Sequence, residues 1–133
     1  MNATRILKSA RQTLAGKQSF PEAVACLMSE GVEYYHVDYA TLKKSFYDGA
    51  GGVVTAPIVY EGLPEIEAEF SAADLQANIR DSQLHGQNFR DFTQRAMKAG
   101  VQSYYAFLRG GRVTYLGRQG DQHVEWFPGM KPE

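Results

Sequence analysis

The chain has 133 residues, 44% of them apolar and 22% charged, which is typical of a globular protein with a single domain. A formal net charge of −1 gives no electrostatic reason to expect nucleic acid or an anionic membrane as a partner, and we expect neither. The single cysteine, Cys26, excludes an internal disulfide, and no apolar run reaches the roughly 20 residues of a membrane helix, so we expect a soluble, cytoplasmic protein.

Two helices are predicted first along the chain. Apolar residues at helical spacing indicate the first helix: Ile6, Leu7, Ala10 and Leu14. Ser19 and Glu22 have the spacing of a capping box, which predicts where the second helix begins. Its predicted apolar face contains Phe20, Val24, Leu27 and Met28. Gly31 follows this helix, at the position where a left-handed backbone conformation ends many helices.

Three segments rich in Val, Tyr and Phe come next, and we predict strands over 32–39, 42–47 and 53–60. Pro57 lacks a backbone N–H, so the third strand is expected at a sheet edge. If Tyr35 and Val37 face the core, the alternation of side chains along a strand turns their neighbours outward.

The second half of the chain repeats this pattern at an offset of 69, the separation of Gly31 and Gly100. Ser71 and Asn88 are predicted to cap two further helices, and strands are predicted over 101–108, 112–116 and 122–127. We therefore predict an α+β fold made of an internally duplicated α-α-β-β-β unit, with pseudo-two-fold symmetry and an antiparallel sheet covered by helices on one side. The single domain, 1–133, would contain copy one at about 2–60, an exposed link at 61–70 and copy two at about 71–128.

The Phe-Pro-Glu helix start, the Gly-Val before each hairpin and the closing stretch RVTYLGRQGDQHVEWFP resemble a bacterial and prophage family of unknown function often labelled "phage envelope protein". The resemblance covers essentially the whole chain. It implies neither an activity nor a cofactor, because none of these motifs is catalytic.

Two histidines share a pattern that suits metal binding. His36 and Asp38 lie two apart in a predicted strand, as do His123 and Glu125, so each histidine shares a sheet face with its acid. We expect Val124 and Trp126 to be buried, which would turn His123 and Glu125 outward. If the two pairs converge, they could hold one divalent metal such as Zn, Mn or Fe. The alternative is that all four are polar positions on half-exposed strands.

Two functions therefore stay open at the level of sequence. The favoured hypothesis is a small binding domain without a cofactor, whose partner is a second copy of itself, another protein or a small ligand. Several tyrosines are candidates for such a surface, because interfaces favour tyrosine: Tyr34, Tyr47, Tyr60 and Tyr105. The alternative is a metal-dependent enzyme that uses the four residues of the two His-x-acid pairs.

Overall fold

The computed structural model describes residues 1–132. Four helices and six strands in this part of the chain follow the order α-α-β-β-β-α-α-β-β-β. Their bounds are α1 (Ala3–Leu14), α2 (Phe20–Ser29), β1 (Val32–Asp38), β2 (Lys43–Asp48), β3 (Val53–Pro57), α3 (Ala72–His85), α4 (Phe89–Lys98), β4 (Val101–Phe107), β5 (Arg112–Gly117) and β6 (Gln122–Trp126). None of these helices is long and apolar enough to cross a membrane.

The helix ends are determined by local side-chain chemistry. The Ser19 hydroxyl accepts a hydrogen bond from the Glu22 amide, and the Glu22 carboxylate accepts one from the Ser19 amide, which confirms the capping box. The Asn88 side chain accepts from the Asp91 amide at the start of α4. The predicted apolar face of α2 is only partly right, because Phe20 and Met28 are exposed.

All six strands belong to one continuous antiparallel sheet in the order β3-β2-β1-β4-β5-β6. The central pair, β1 and β4, joins the two halves of the chain. Strands β3 and β6 lie at the edges, and Pro57 ends β3 as its missing N–H predicts.

The core lies between one face of this sheet and the helices. We call this the covered face, and the opposite side the open face. Sheet residues in the core all point to the covered face: Tyr35, Val37, Phe46, Ala56, Tyr104, Ala106, Val113 and Tyr115. Helix residues pack against them: Ile6, Ala10, Leu27, Leu75, Ile79, Ala96 and Met97. The open face therefore carries the alternate residues of every strand.

The predicted α+β fold with a helix-covered antiparallel sheet is confirmed. Each element of the second half begins 69 residues after its counterpart in the first, as Phe20 and Phe89 illustrate. The strand registers follow the same offset, since the pair Tyr35 and Phe46 corresponds to the pair Tyr104 and Tyr115. An origin of the two halves by duplication stays a prediction.

The link at 61–70 is packed more closely than its acids and its proline predict. Leu63, Ile66 and Phe70 are partly buried against the core. The Glu67 amide donates to the Met97 carbonyl, and the Arg118 guanidinium donates to the Ile66 carbonyl. The link is therefore held against the second half of the chain.

Candidate functional site

His36 and Asp38 point to the open face, as the alternation along β1 predicts. The His36 ring stacks on Tyr105 of β4, with 4.2 Å between ring centroids. Partial burial lowers the pKa of His36, while the charge of Asp38 acts in the opposite direction. The Asp38 carboxylate accepts hydrogen bonds from the Ala40 amide and the Thr41 hydroxyl, each at 2.9 Å, so it fixes the turn after β1.

His123 and Glu125 lie on the covered face, so their predicted outward orientation is wrong. Strand β6 pairs His123 with the buried Tyr115 and Glu125 with the buried Val113. Val124, expected in the core, is 42% exposed on the open face. The register with β5 determines which residues of β6 point to the core side of the sheet. At this sheet edge the covered face is partly accessible to solvent, so it accommodates a polar pair. His123 Nε2 lies 3.2 Å from Glu125 Oε2.

The two His-x-acid pairs do not converge. They occupy opposite faces of the sheet, and strands β4 and β5 separate β1 from β6. Within residues 1–132, no group of three or more His, Cys, Asp and Glu side chains is arranged to hold a metal ion. The geometry therefore does not provide the convergence that the metal-enzyme hypothesis requires.

The open face carries a different concentration of side chains at one end. Register pairing places five large residues in one line across β2, β1, β4, β5 and β6. We call this line the aromatic row; it consists of Tyr47, Tyr34, Phe107, Arg112 and Trp126. The four aromatic members are half-buried and Arg112 is exposed, so the row is accessible from solvent.

The rings of the row stand beside one another. Tyr47 and Tyr34 stack with 4.7 Å between centroids and 11° between ring planes, and Phe107 follows at 5.9 Å from Tyr34. The Arg112 guanidinium lies over the Trp126 ring, 4.3 Å from its centroid. Because ring faces cover each other, ring edges and phenol hydroxyls form much of the surface that a ligand would contact.

A groove of about 700 Å³ runs along this end of the open face, a size within the usual range for ligand sites. Tyr34, Phe107, Arg112 and residues of the β4–β5 hairpin line it. Two arginines and one glutamate contribute charge to the groove. The Arg109 guanidinium lies 3.3 Å from the Glu33 carboxylate, so this pair is internally neutralised.

The opposite end of the open face lacks such a row. At the offset of 69, the equivalents of the first four members are Leu116, Ser103, Asp38 and Lys43, and Pro57 stands where Trp126 does. These residues form the same strands with one large aliphatic side chain, that of Leu116, and otherwise with small or polar ones. The aromatic row is therefore a property of one end of the open face and not a requirement of the fold.

Sequence reasoning identified Tyr34 and Tyr47 as surface candidates but missed Phe107, Arg112 and Trp126. The Gly110–Gly111 turn, combined with strand alternation, would have placed Arg112 opposite Phe107. Sequence reasoning also missed Lys44, although the alternation of side chains along β2 places Lys44 on the same face as Phe46, the covered face. Lys44 is 5% exposed, and its Nζ lies 3.8 Å from the centroid of the Phe89 ring.

A scan against protein-family models finds no match to the chain, and a search of curated proteins finds no significant match. The resemblance to the phage envelope protein family therefore stays a prediction.

Proposed function

We propose that this protein is a binding domain whose recognition surface is the aromatic row on the open face of the sheet. The single observation that carries the proposal is the asymmetry between the two ends of that face. Tyr47, Tyr34 and Phe107 have Leu116, Ser103 and Asp38 as their equivalents, and both sets support the same strand registers. Large aromatic side chains that the fold does not need, on a face that the four described helices leave uncovered, are typical of interaction sites.

An extended peptide segment of another protein is the occupant that best suits this surface. The row crosses five strands as a narrow strip, and no hydrogen bond within residues 1–132 occupies the hydroxyls of Tyr34 or Tyr47. Tyrosine edges with free hydroxyls suit the mixed polar and apolar surface of a peptide. Stacking of nucleobases needs free ring faces, which the mutual stacking in the row largely covers.

A second copy of the chain is a weaker candidate for this strip. A stable interface typically removes about 800 Å² of surface from each partner, and a strip of five side chains provides much less than that. The peptide hypothesis and the homodimer hypothesis are separated by the oligomeric state of the purified protein, since only the second requires a dimer.

Selection of peptides from a displayed random library tests the proposal. Wild-type protein should enrich peptides that bind it and fail to bind the Tyr47→Ser variant. Leu116→Ser removes the equivalent side chain at the opposite end of the face and serves as the matched control. Trp126, the only tryptophan, ends the row, so its fluorescence should change when a selected peptide binds.

Enriched peptides that bind Tyr47→Ser as tightly as wild type would show that the row is not the recognition surface. A wild-type dimer that dissociates in Tyr47→Ser would replace the peptide with a second copy as the occupant. Thermal unfolding of both serine variants checks that each still folds.

A further inference from the structure

Arg112 is the only member of the aromatic row that carries a charge. Its guanidinium is held over the Trp126 ring at 4.3 Å. Among residues 1–132, no hydrogen bond or ion pair of the Arg112 side chain is found. Since Arg109 is paired with Glu33, the groove retains one positive charge without a compensating acid.

The equivalent position at the opposite end of the face shows why the charge of Arg112 has no acid beside it. Lys43 corresponds to Arg112 at the offset of 69, and the cross-strand neighbour of Lys43 is Asp38. The neighbour of Arg112 at the same register is Phe107. A carboxylate therefore stands across from the cation in the first half, while a phenyl ring takes its place in the second.

An arginine in this setting is suited to anion recognition. Contact with the indole ring restricts the orientation of the guanidinium and leaves its N–H groups free to donate. A planar guanidinium binds carboxylate and phosphate through two parallel hydrogen bonds. Phe107 and Tyr34, next in the row, provide an apolar surface beside that charge.

We propose that the ligand of this groove carries a carboxylate or phosphate group that binds Arg112, with an aromatic or aliphatic group next to it that contacts Phe107 and Tyr34. The proposal rests on the proposed function and specifies the chemistry of its ligand. In the proposed peptide, the carboxylate would come from an acidic side chain or the C-terminus, and the phosphate from a phosphorylated side chain.

Three small probes separate the charge from the apolar contact: 3-phenylpropanoate, its neutral amide 3-phenylpropanamide, and phenyl phosphate. Each is titrated into ¹⁵N-labelled wild-type protein, followed by amide shifts and by Trp126 fluorescence. At least one anion should bind about tenfold more tightly than the amide, with shifts confined to the groove. Comparing phenylpropanoate with phenyl phosphate shows which anion is preferred.

The variant Arg112→Gln should lose this preference, so that the anions bind it no more tightly than the amide does. Lys43→Gln removes the equivalent charge at the other end of the face and should leave all three affinities as in wild type. If neither anion binds wild type more tightly than the amide, the role of Arg112 is overturned and the aromatic row remains as a binding surface. If no probe perturbs the groove, this inference fails, whereas the proposed function is decided separately by the peptide selection with Tyr47→Ser.

Discussion

Lys44 extends its side chain into the apolar layer between the sheet and the helices. Burial lowers the pKa of its amine from 10.5 to about 7. The fold does not depend on a lysine there, because the equivalent position in the second half holds the buried Val113. Contact with the Phe89 ring offsets only part of the desolvation of the charged amine.

Replacing Lys44 by Val should stabilise the protein, and more so at low pH. The unfolded chain keeps the lysine proton up to about pH 10.5, whereas the folded chain loses it above about pH 7. The free-energy cost of burying the charged amine therefore has its full value below about pH 7 and decreases as the pH rises toward 10.5. The gain in free energy of unfolding for Lys44→Val should therefore be larger near pH 6 than near pH 10, by roughly 2–4 kcal/mol. Urea denaturation of both proteins at the two pH values measures this difference. An equal gain at both would show that the amine is not held as a desolvated charge.

At the scale of single elements, the glycines that follow α2 and α4 have equivalent positions but different surroundings. Gly31 and Gly100 both have positive φ, +81° and +91°. A Cβ on Gly31 would meet nothing within 4 Å, whereas one on Gly100 would lie 2.5 Å from the Glu69 carbonyl oxygen and 2.8 Å from the Phe70 Cα. The difference arises because Glu69 and Phe70 of the link lie against Gly100, whereas no segment lies as close to Gly31.

Gly100→Ala should consequently destabilise the protein by roughly 1–3 kcal/mol more than Gly31→Ala, since both strain the backbone but only the first also displaces the link. Urea denaturation of the two variants provides the comparison. Equal losses would mean that the link moves aside without a penalty.

The same elements show what local sequence can predict. Ser19, Asn88 and the glycines determine helix ends through contacts within a few residues, and their patterns are readable along the chain. The faces of β6 were misjudged because they depend on its register with β5, and at an edge strand an alternating Gln-His-Val-Glu-Trp stretch does not identify the core side. The aromatic row is still harder to predict from local sequence, because its members form one line only when β1 pairs with β4.

At the scale of the whole molecule, the two halves share one core. Strands β1 and β4 form the centre of the sheet, where Tyr35 pairs with Ala106 and Val37 with Tyr104. All four residues are buried. A separated half would keep only three strands and would expose the edge of its innermost strand together with part of this apolar layer.

We therefore expect residues 1–60 and 61–133, expressed separately, to lack a cooperative unfolding transition and to regain one when mixed in equal amounts. The cut precedes the link because the link contacts the second half, through hydrogen bonds from the Glu67 amide to the Met97 carbonyl and from Arg118 to the Ile66 carbonyl. Circular dichroism during heating measures the transition, and amide shifts of the mixture show whether the β1–β4 pairing has formed. A fragment that unfolds cooperatively alone would show that its half has an independent core, in which case the aromatic row, which spans both halves, would form by docking of two folded units.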